Sequence, residues 1–185
     1  MKLTHILLDM DGVLSDFFSA ALFRLNEYTG RQLSHRNYVK YYGEFAMEVP
    51  FEMSPNAFWT VIDNENFWRD MHVTPWAHML MDCLKDLRVP IYIATSPSAK
   101  AHCIVEKKAW LQTHFKIRTS QCMFGSAKHL MAKPGALLID DYPKNVEAFR
   151  TAGGDAVCVP SNWNTLNLDF KQIWRPIQTH LKNSP

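Results

Sequence analysis

The chain has 185 residues, 47% of them hydrophobic, which is enough for one sizeable core or for a core domain that carries a small insert. Its formal net charge of +2 argues against a nucleic-acid binder that works through bulk electrostatics, although a local basic pocket is left open. No apolar run approaches the about 18 residues of a membrane span, and the first predicted strand begins too early to leave room for a signal peptide.

Cysteine usage points to a reducing compartment. Four cysteines show neither a CxxC pair nor another short metal-binding spacing: Cys83, Cys103, Cys122 and Cys158. They predict reduced, mostly buried thiols of an intracellular protein. A cytoplasmic protein with no membrane partner and no nucleic-acid polymer as partner is therefore expected.

Predicted strands and helices alternate along most of the chain. Three apolar runs predict strands that are buried on both faces, as in a parallel sheet, and each run ends in polar residues: 5–9, 90–96 and 136–141. Two shorter strands are predicted at 120–125 and 155–160. Helical patterns lie at 16–29, 76–87, 98–115 and 143–152. This alternation predicts an α/β fold with a Rossmann-like core, in which helices flank a parallel sheet.

An aromatic-rich segment, residues 30–75, interrupts the alternation. A helix is predicted at 55–64, with Ser54 as its N-cap and Pro55 at its first position. We interpret residues 16–75 as a small helical cap inserted after the first strand, and residues 1–15 with 76–185 as the core domain. Most of the aromatic side chains are expected to form a small hydrophobic core, and some of them could provide a stacking wall for a ligand.

Carboxylates gather where the predicted strands end. Asp9 and Asp11 follow the first strand, and Asp140 and Asp141 end the run at 136–141. Ligands bind beyond the carboxyl ends of such strands, so these side chains are expected at one edge of the sheet. Their repulsion calls for a cation, and hard oxygen ligands favour Mg²⁺. The alternative role of such residues, as helix N-caps and turn residues, is preferred only for Asp16, which precedes a helix.

The end of the second predicted strand suggests a phosphate site. Thr95 and Ser96 stand just before a helix, where hydroxyl and backbone N–H groups bind phosphate oxygens well. A lysine is also needed, to offset the negative charge of the phosphate and the carboxylates. The candidates are Lys100, Lys107, Lys108, Lys128 and Lys133.

Three segments, in this order, resemble the motifs of the haloacid dehalogenase superfamily. "DMDGVLSD" has the form DxDGxxxD, "ATSP" fits the Thr or Ser that closes the second strand, and "LLIDD" fits the acidic fourth motif. A closer resemblance is to the 5'(3')-deoxyribonucleotidases and their bacterial and phage relatives, where TSP is followed by a Cys and an EKxxW string. Here that string contains Glu106, Lys107 and Trp110, after Cys103.

The resemblance implies the chemistry of a phosphatase. Asp9 would be the nucleophile that forms an aspartyl-phosphate, and Asp11 would protonate the leaving oxygen and then activate water. Mg²⁺ would bind the Asp9 carboxylate, the backbone carbonyl of Asp11 and a carboxylate of the Asp140-Asp141 pair, with Asp141 preferred.

The resemblance also implies how the phosphate is held. Thr95 and Ser96 would bind its oxygens, and Lys107 matches the EK lysine of the nucleotidases. The lysine before the acidic motif is Lys128 or Lys133. We prefer Lys128, which opens a short predicted helix, because Lys133 sits beside a proline and nearly on the strand.

Substrate choice in this family lies in the cap. Phe17 stands where these nucleotidases place an aromatic ring against the base, and Tyr42, Phe45 and Trp59 could complete the wall. In the nucleotidases a Trp precedes an NF string. Here Ile62 takes that place, a departure that bears on nucleobase selectivity and not on the phosphate chemistry.

The sequence thus predicts a Mg²⁺-dependent phosphomonoesterase acting on nucleoside monophosphates, and on deoxyribonucleoside monophosphates in particular. The nearest alternative is the same chemistry on another small phosphate ester, such as a sugar phosphate. A non-catalytic nucleotide-binding protein has no need of both Asp9 and Asp11. A phosphotransferase or a dehalogenase is a third class, and Asp11 counts against the dehalogenase. A homodimer is left open.

Overall fold

The computed structural model describes residues 2–38, 49–161, 165 and 167–183. Their strands form one parallel sheet in the order β3-β2-β1-β4-β5. The strands are β1 (His5–Leu8), β2 (Ile91–Thr95), β3 (Cys122–Phe124), β4 (Ala136–Asp140) and β5 (Asp155–Cys158). The central strand β1 therefore lies between β2 and β4, the two other strands whose ends carry the predicted site residues.

The apolar character of β1 and β4 follows from burial on both faces of the sheet. Ile6 and Leu8 pack into one core cluster, whereas Leu7 packs into a second cluster on the opposite face, and all three side chains are fully buried. Complete burial of such a side chain contributes about 1.5–3 kcal/mol. The sequence pattern of a continuous apolar run, rather than an alternating one, has this physical origin.

Helices cover the sheet, as the alternating pattern predicts. The α-helices of the described residues are α1 (Phe17–Thr29), α2 (Pro55–Ile62), α3 (Ala77–Lys85), α4 (Ala101–Phe115), α5 (Pro143–Thr151) and α6 (Phe170–Asn183). Helix α6 is not among the predicted helices, because Pro176 inside it is unfavourable in a helix interior. Ile173 and Ile177, one turn apart, are fully buried and attach α6 to the core.

The bounds of the remaining elements differ from prediction mainly at their ends. The largest difference is at α4, which begins at Ala101 rather than at residue 98. The residues before it form a loop instead, in which Ser98 N–H donates to Cys103 Sγ and Lys100 N–H donates to Ser98 Oγ. The backbone N–H groups directly after β2 therefore belong to this loop and not to the first turn of α4.

Two predicted N-caps are confirmed in the segment after β1. The Asp16 carboxylate accepts from Ser19 N–H at 3.1 Å, and Ser54 Oγ accepts from Ala57 N–H at 3.2 Å, with Pro55 at the first position of α2. The division into a core of 1–15 with 76–185 and a cap of 16–75 stays a prediction. Tyr42 and Phe45 lie outside the described residues.

All four cysteines are free thiols, but the prediction that they are mostly buried is wrong. Only Cys103 is buried, whereas Cys83 and Cys122 are half-buried and Cys158, at the end of β5, is exposed. An edge strand such as β5 or β3 is covered less completely than the sheet centre. None of the helices in the described part of the chain combines the length and the apolar character that crossing a membrane requires.

Candidate active site

The register of the sheet brings the predicted acidic residues together. Leu8 of β1 is paired with Ile139 of β4, so the next residues, Asp9 and Asp140, lie side by side where the strands end. Asp9 N–H donates to the Ile139 carbonyl at 2.9 Å and extends this alignment by one residue. Both aspartates are buried.

A tight loop follows β1 and returns Asp11 to the same cavity. The N–H groups of Leu14 and Ser15 donate to the Met10 carbonyl at 2.8 and 2.9 Å, and Gly12 N–H donates to the Ser15 carbonyl. Ser15 Oγ donates to Asp11 Oδ1 at 3.1 Å and orients that carboxylate. Asp9 and Asp11 both line a cavity of about 380 Å³.

Both oxygens of the Asp140 carboxylate accept hydrogen bonds from other residues of the protein. Lys128 Nζ donates to its Oδ2 at 2.7 Å, Asn145 Nδ2 lies 3.0 Å from the same oxygen, and Tyr142 N–H donates to its Oδ1 at 2.9 Å. Lys128 also lies 2.8 Å from Asp9 Oδ1. Asp140 therefore orients the lysine, and the lysine is shared between two strand ends.

Asp141 lies against the loop that follows β1. Its Oδ2 comes so close to Gly12 that it would collide with any Cβ atom there. Asp141 lines the cavity, whereas Asp140 does not. One carboxylate oxygen from each of Asp9, Asp140 and Asp141 lies within 4.8 Å of the others, which is the one such group of potential metal ligands in the described ranges. Their hard oxygen donors suit a divalent cation such as Mg²⁺.

The protein's own side chains leave this cluster with more negative than positive charge. Burial, then the neighbouring charges of Asp140, Asp141 and Asp11, raise the pKa of Asp9 well above its usual value, although Lys128 acts in the opposite direction. Burial acts to lower the pKa of Lys128, but Asp9 and Asp140 outweigh it and raise that pKa. The two directions are compatible, because one ammonium group faces several carboxylates and cannot neutralise them all. A divalent cation would relieve this excess of negative charge.

The predicted phosphate-binding residues divide into two groups. Ser96 lines the cavity, together with Pro97 and Ser98 of the loop before α4. Thr95 and Lys107 are fully buried and are not among the lining residues. Direct contact of Thr95 and Lys107 with a phosphate stays a prediction.

Lys107 forms a buried network with the acid/base candidate. Its Nζ donates to Thr95 Oγ1 at 2.9 Å and to the Ser96 carbonyl at 2.8 Å, and it forms an ion pair with Asp11 Oδ2. The sequence assigned Lys107 to the phosphate, whereas its contacts here are to Asp11 and to the end of β2. This position lets it hold the Asp11 carboxylate beside the cavity.

Of the other candidate lysines, none lies at the carboxylate cluster. Lys133 is exposed, and Lys100 Nζ donates to the backbone carbonyl of Asp63 at 2.6 Å. Lys108 is half-buried and does not line the cavity. The geometry therefore favours Lys128 over Lys133 as the lysine beside Asp9.

Aromatic rings also line the cavity, and together they are called its aromatic wall. Phe17, the predicted stacking residue, is 7% exposed, and Trp59 is 40% exposed. Phe17 stacks on Trp68, with ring centroids 5.6 Å apart and an interplanar angle of 21°. Ile62, at the position of the expected Trp, is fully buried in the core instead.

The lining residues that sequence reasoning missed include Trp68, Tyr142 and Asn145. Trp68 directly follows the NF string, whereas the Trp of the nucleotidases precedes it. A tryptophan next to this string was the feature of the sequence that could have identified Trp68. Tyr142 and Asn145 belong to "DDYPKN", directly after the acidic motif. Phe45, predicted for the same wall, lies outside the residues that the structure describes.

Known proteins share both the sequence pattern and the fold. Residues 3–178 match the family described as 5' nucleotidase, deoxy (pyrimidine), cytosolic type C protein. No curated protein matches the sequence significantly.

Solved structures of haloacid dehalogenase-like proteins and of other hydrolases have a similar fold. A haloacid dehalogenase-like protein from Agrobacterium tumefaciens has a TM-score of 0.61 at 15% identity, over 98% of this chain and 100% of that chain. A HAD hydrolase of family IA from Entamoeba histolytica has a TM-score of 0.57 at 18% identity, over 90% and 87%. CbbY from Rhodobacter sphaeroides, solved in complex with phosphate, has a TM-score of 0.57 at 15% identity, over 91% and 90%. At these identities the likeness shows the fold, and the predicted α/β architecture is confirmed.

Proposed function

The chain belongs to the family of 5' nucleotidases, deoxy (pyrimidine), cytosolic type C, and on this premise we propose that it is a Mg²⁺-dependent phosphatase of nucleoside monophosphates, in particular of deoxyribonucleoside monophosphates. The observation that carries the proposal is one cavity lined by two kinds of side chain. The charged groups of Asp9, Asp11 and Lys128 line it together with the aromatic rings of Phe17 and Trp59. A phosphate ester with an aromatic base has the same division into a charged end and a flat apolar end.

Three oxygen ligands of this chain would hold Mg²⁺: the Asp9 carboxylate, the backbone carbonyl of Asp11 and the Asp141 carboxylate. Asp141 is preferred over Asp140 because Lys128, Tyr142 N–H and Asn145 already occupy the Asp140 carboxylate. When bound, the cation supplies positive charge that neutralises the carboxylates and the phosphate oxygens during attack.

Asp9 is the proposed nucleophile. Among the described residues, Met10 N–H and Lys128 Nζ both contact its Oδ1, which leaves Oδ2 for attack on phosphorus. A bond forms between Oδ2 and phosphorus while the ester bond from phosphorus to the leaving oxygen breaks. Lys128 keeps the carboxylate in place and offsets charge next to the reacting phosphoryl group.

Asp11 is the proposed acid and base. In its protonated form it gives that proton to the leaving oxygen in the first step. In the second step it takes a proton from the water whose oxygen attacks phosphorus, and the bond between Asp9 and phosphorus breaks. Ser15 and Lys107 hold the Asp11 carboxylate on its two oxygens and aim it into the cavity.

The aromatic wall of the cavity supports a nucleotide rather than an ester without a ring. Its volume of about 380 Å³ falls within the roughly 300–1,000 Å³ that is usual for small-molecule sites. Offset stacking on a ring such as Phe17 contributes about 1–3 kcal/mol per base. A sugar phosphate has no flat apolar group that would use this wall.

A phosphate-release screen tests the proposal. The panel contains deoxy- and ribonucleoside 5'- and 3'-monophosphates and a set of sugar phosphates, each with Mg²⁺, and an Asp9→Asn preparation serves as the matched control for contaminating phosphatase. We expect kcat/KM for the best deoxynucleotide to exceed that for the best sugar phosphate by at least about tenfold, as one stacking contact implies. Equal or better use of sugar phosphates would support the alternative substrate class, and release from no ester would support a non-catalytic binder.

A further inference from the structure

Glu106 of α4 is a buried carboxylate with two partners far away in the sequence. Its Oε1 accepts from Asn66 N–H at 2.8 Å and its Oε2 accepts from Trp68 N–H at 3.1 Å. The side chain is 3% exposed. Both bonds are charge-assisted, and the bond to Trp68 is also buried, so together they hold the backbone of residues 66–68 against α4.

The backbone of residues 66–68 needs this support. Asn66 has a φ of 70°, in the left-handed region that a side chain other than glycine adopts at a cost. Asn is among the residues that tolerate this region best. The bond from its N–H to Glu106 stabilises the conformation that turns the chain back toward the cavity.

Trp68 is fixed at both its backbone and its ring. Glu106 binds its backbone N–H, and Asp63 Oδ1 accepts from its indole Nε1–H at 2.9 Å. The ring is 2% exposed, so it serves as a support for other groups rather than as an open stacking surface.

Trp68 contacts two rings that line the cavity and a buried lysine behind it. Phe17 and Trp59 stack on it with ring centroids at 5.6 and 6.5 Å. The Lys107 ammonium group lies 4.5 Å from the ring centroid, in cation–π contact, and Lys107 in turn pairs with Asp11. Trp68 thus connects the aromatic wall with the acid/base candidate.

We propose that Glu106 is a positioning residue for substrate selectivity. By fixing residues 66–68 it fixes Trp68, and Trp68 sets the distance between the aromatic wall and the reacting groups. This role rests on the proposed nucleotidase function, because the aromatic wall acts only on a substrate that carries a ring. Glu106 touches neither the substrate nor the reacting atoms and acts through Trp68.

A kinetic comparison tests the role. Glu106→Gln keeps the size of the side chain, but its amide must present Nε2–H to one of the two backbone N–H groups, so one bond is lost. Glu65→Gln, at an exposed position next to the same turn, is the matched control. The substrates are thymidine 5'-monophosphate, which carries a ring, and glycerol 3-phosphate, which does not.

We expect the ratio of kcat/KM for the nucleotide to kcat/KM for glycerol 3-phosphate to fall about tenfold in Glu106→Gln, the size expected for one lost charge-assisted bond. The fall should come chiefly from a higher KM for the nucleotide, and Glu65→Gln should keep the wild-type ratio. A purely structural role would lower both activities in proportion through the folded fraction. A proportional loss or an unchanged ratio would therefore overturn the proposal.

A second pair of variants acts on the same turn without touching α4. Asn66→Gly keeps the N–H group and accepts the positive φ, whereas the branched side chain of Asn66→Val opposes it. We expect Asn66→Val to reproduce the loss of selectivity and Asn66→Gly to retain the wild-type ratio. Equal ratios in both variants would contradict the role of the turn.

Hydrogen exchange separates this proposal from the nucleotidase function. In Glu106→Gln the amides of Asn66 and Trp68 should exchange faster, while amides of the central sheet keep their protection. If the wild-type protein uses glycerol 3-phosphate and not the nucleotide, the nucleotidase function fails. Faster exchange confined to these amides would then still support the positioning of Trp68, and unchanged exchange would refute it.

Discussion

The Asp141 carboxylate occupies the space in which a side chain on Gly12 would begin. Gly12 has a φ of 78°, so its backbone conformation also favours glycine. The loop after β1 and the end of β4 approach each other this closely only because Gly12 has no Cβ atom. Two separate requirements, backbone conformation and close approach, thus meet at one residue beside the proposed metal ligands.

Gly12→Ala is expected to lower activity strongly while the fold persists. The new methyl group must displace either Asp141 or the loop that carries Asp9 and Asp11, and a displacement of this size costs about a hundredfold in rate. Phosphate release measures the loss, and circular dichroism reports the fold. Gly125→Ala is the matched control, since a Cβ there meets nothing within 4 Å and its φ is not positive. Near-normal turnover by Gly12→Ala would show that Asp141 can move without consequence.

Asp9→Asn should lower phosphate release by at least about a thousandfold, because the amide cannot form the covalent intermediate. The neighbouring bonds from Met10 N–H and Lys128 can still reach a side-chain oxygen of the same size. Turnover and mass spectrometry of a trapped phosphoenzyme measure the effect. Substantial residual turnover would remove Asp9 from the nucleophile role.

The same variant also yields a prediction for stability in EDTA. The raised pKa of Asp9 means that the folded protein binds the proton more tightly than the unfolded chain does. Ionised Asp9 therefore costs stability, and this cost grows as the pH rises from the usual carboxyl pKa through the raised one. We expect Asp9→Asn to melt at the same or a higher temperature than wild type at pH 7, with a smaller difference at pH 5. A clear loss of stability in the variant at pH 7 would mean that the ion pair with Lys128 dominates instead.

Removal of the metal should inactivate the enzyme reversibly. EDTA leaves the Asp9, Asp140 and Asp141 carboxylates with one ammonium group among them, so the site repels a phosphate dianion. Mg²⁺ added in excess should restore turnover fully, and it should also raise the melting temperature, because it binds the folded state alone. Activity that is indifferent to both EDTA and Mg²⁺ would exclude the proposed metal site.

Local sequence patterns predict where the carboxylates of the candidate site gather. Asp9, Asp140 and Ser96 each follow a continuous apolar run, and runs of this kind form neighbouring parallel strands. Their convergence is a property of the sheet and needs no knowledge of individual side chains.

The aromatic half depends on contacts between distant segments and is predicted less well. Trp68 reaches the cavity because Glu106, 38 residues later, binds its N–H, and no local pattern encodes that bond. The partner of Lys107 is likewise hidden, since Asp11 stands 96 residues earlier. Helix α6 is missed for a different reason, namely that burial of Ile173 and Ile177 outweighs the unfavourable Pro176.

Lys128 and Lys133 make a matched pair for mutation to methionine. Lys128→Met should reduce kcat by about 100- to 1,000-fold, because one fixed positive charge beside the phosphoryl group is lost, and Lys133→Met should stay near wild type. Lys128→Met should also be less stable. The raised pKa of Lys128 implies that its contribution is fully present below the usual lysine pKa and is lost only as the pH rises through the raised value. The stability difference between wild type and Lys128→Met should therefore not fall until the pH passes the usual lysine pKa of about 10.4. Greater sensitivity to Lys133→Met would reverse the choice of lysine.

Mutation of Phe17 tests whether its ring stacks on the substrate or only packs in the core. Its ring lies on Trp68 and lines the cavity, so its removal should weaken binding of a substrate that carries a ring. We expect Phe17→Ala to lower kcat/KM for thymidine 5'-monophosphate about 10- to 100-fold more than for glycerol 3-phosphate. Phe17→Leu fills much of the cavity that alanine would leave and should show the same discrimination with a smaller loss of stability. Phe23→Ala, on the same helix but with its ring 61% exposed, is the control for a phenylalanine outside the site. Equal losses on both substrates would assign Phe17 to the core, and substrate selectivity would then depend on Trp59 and the other residues of the wall.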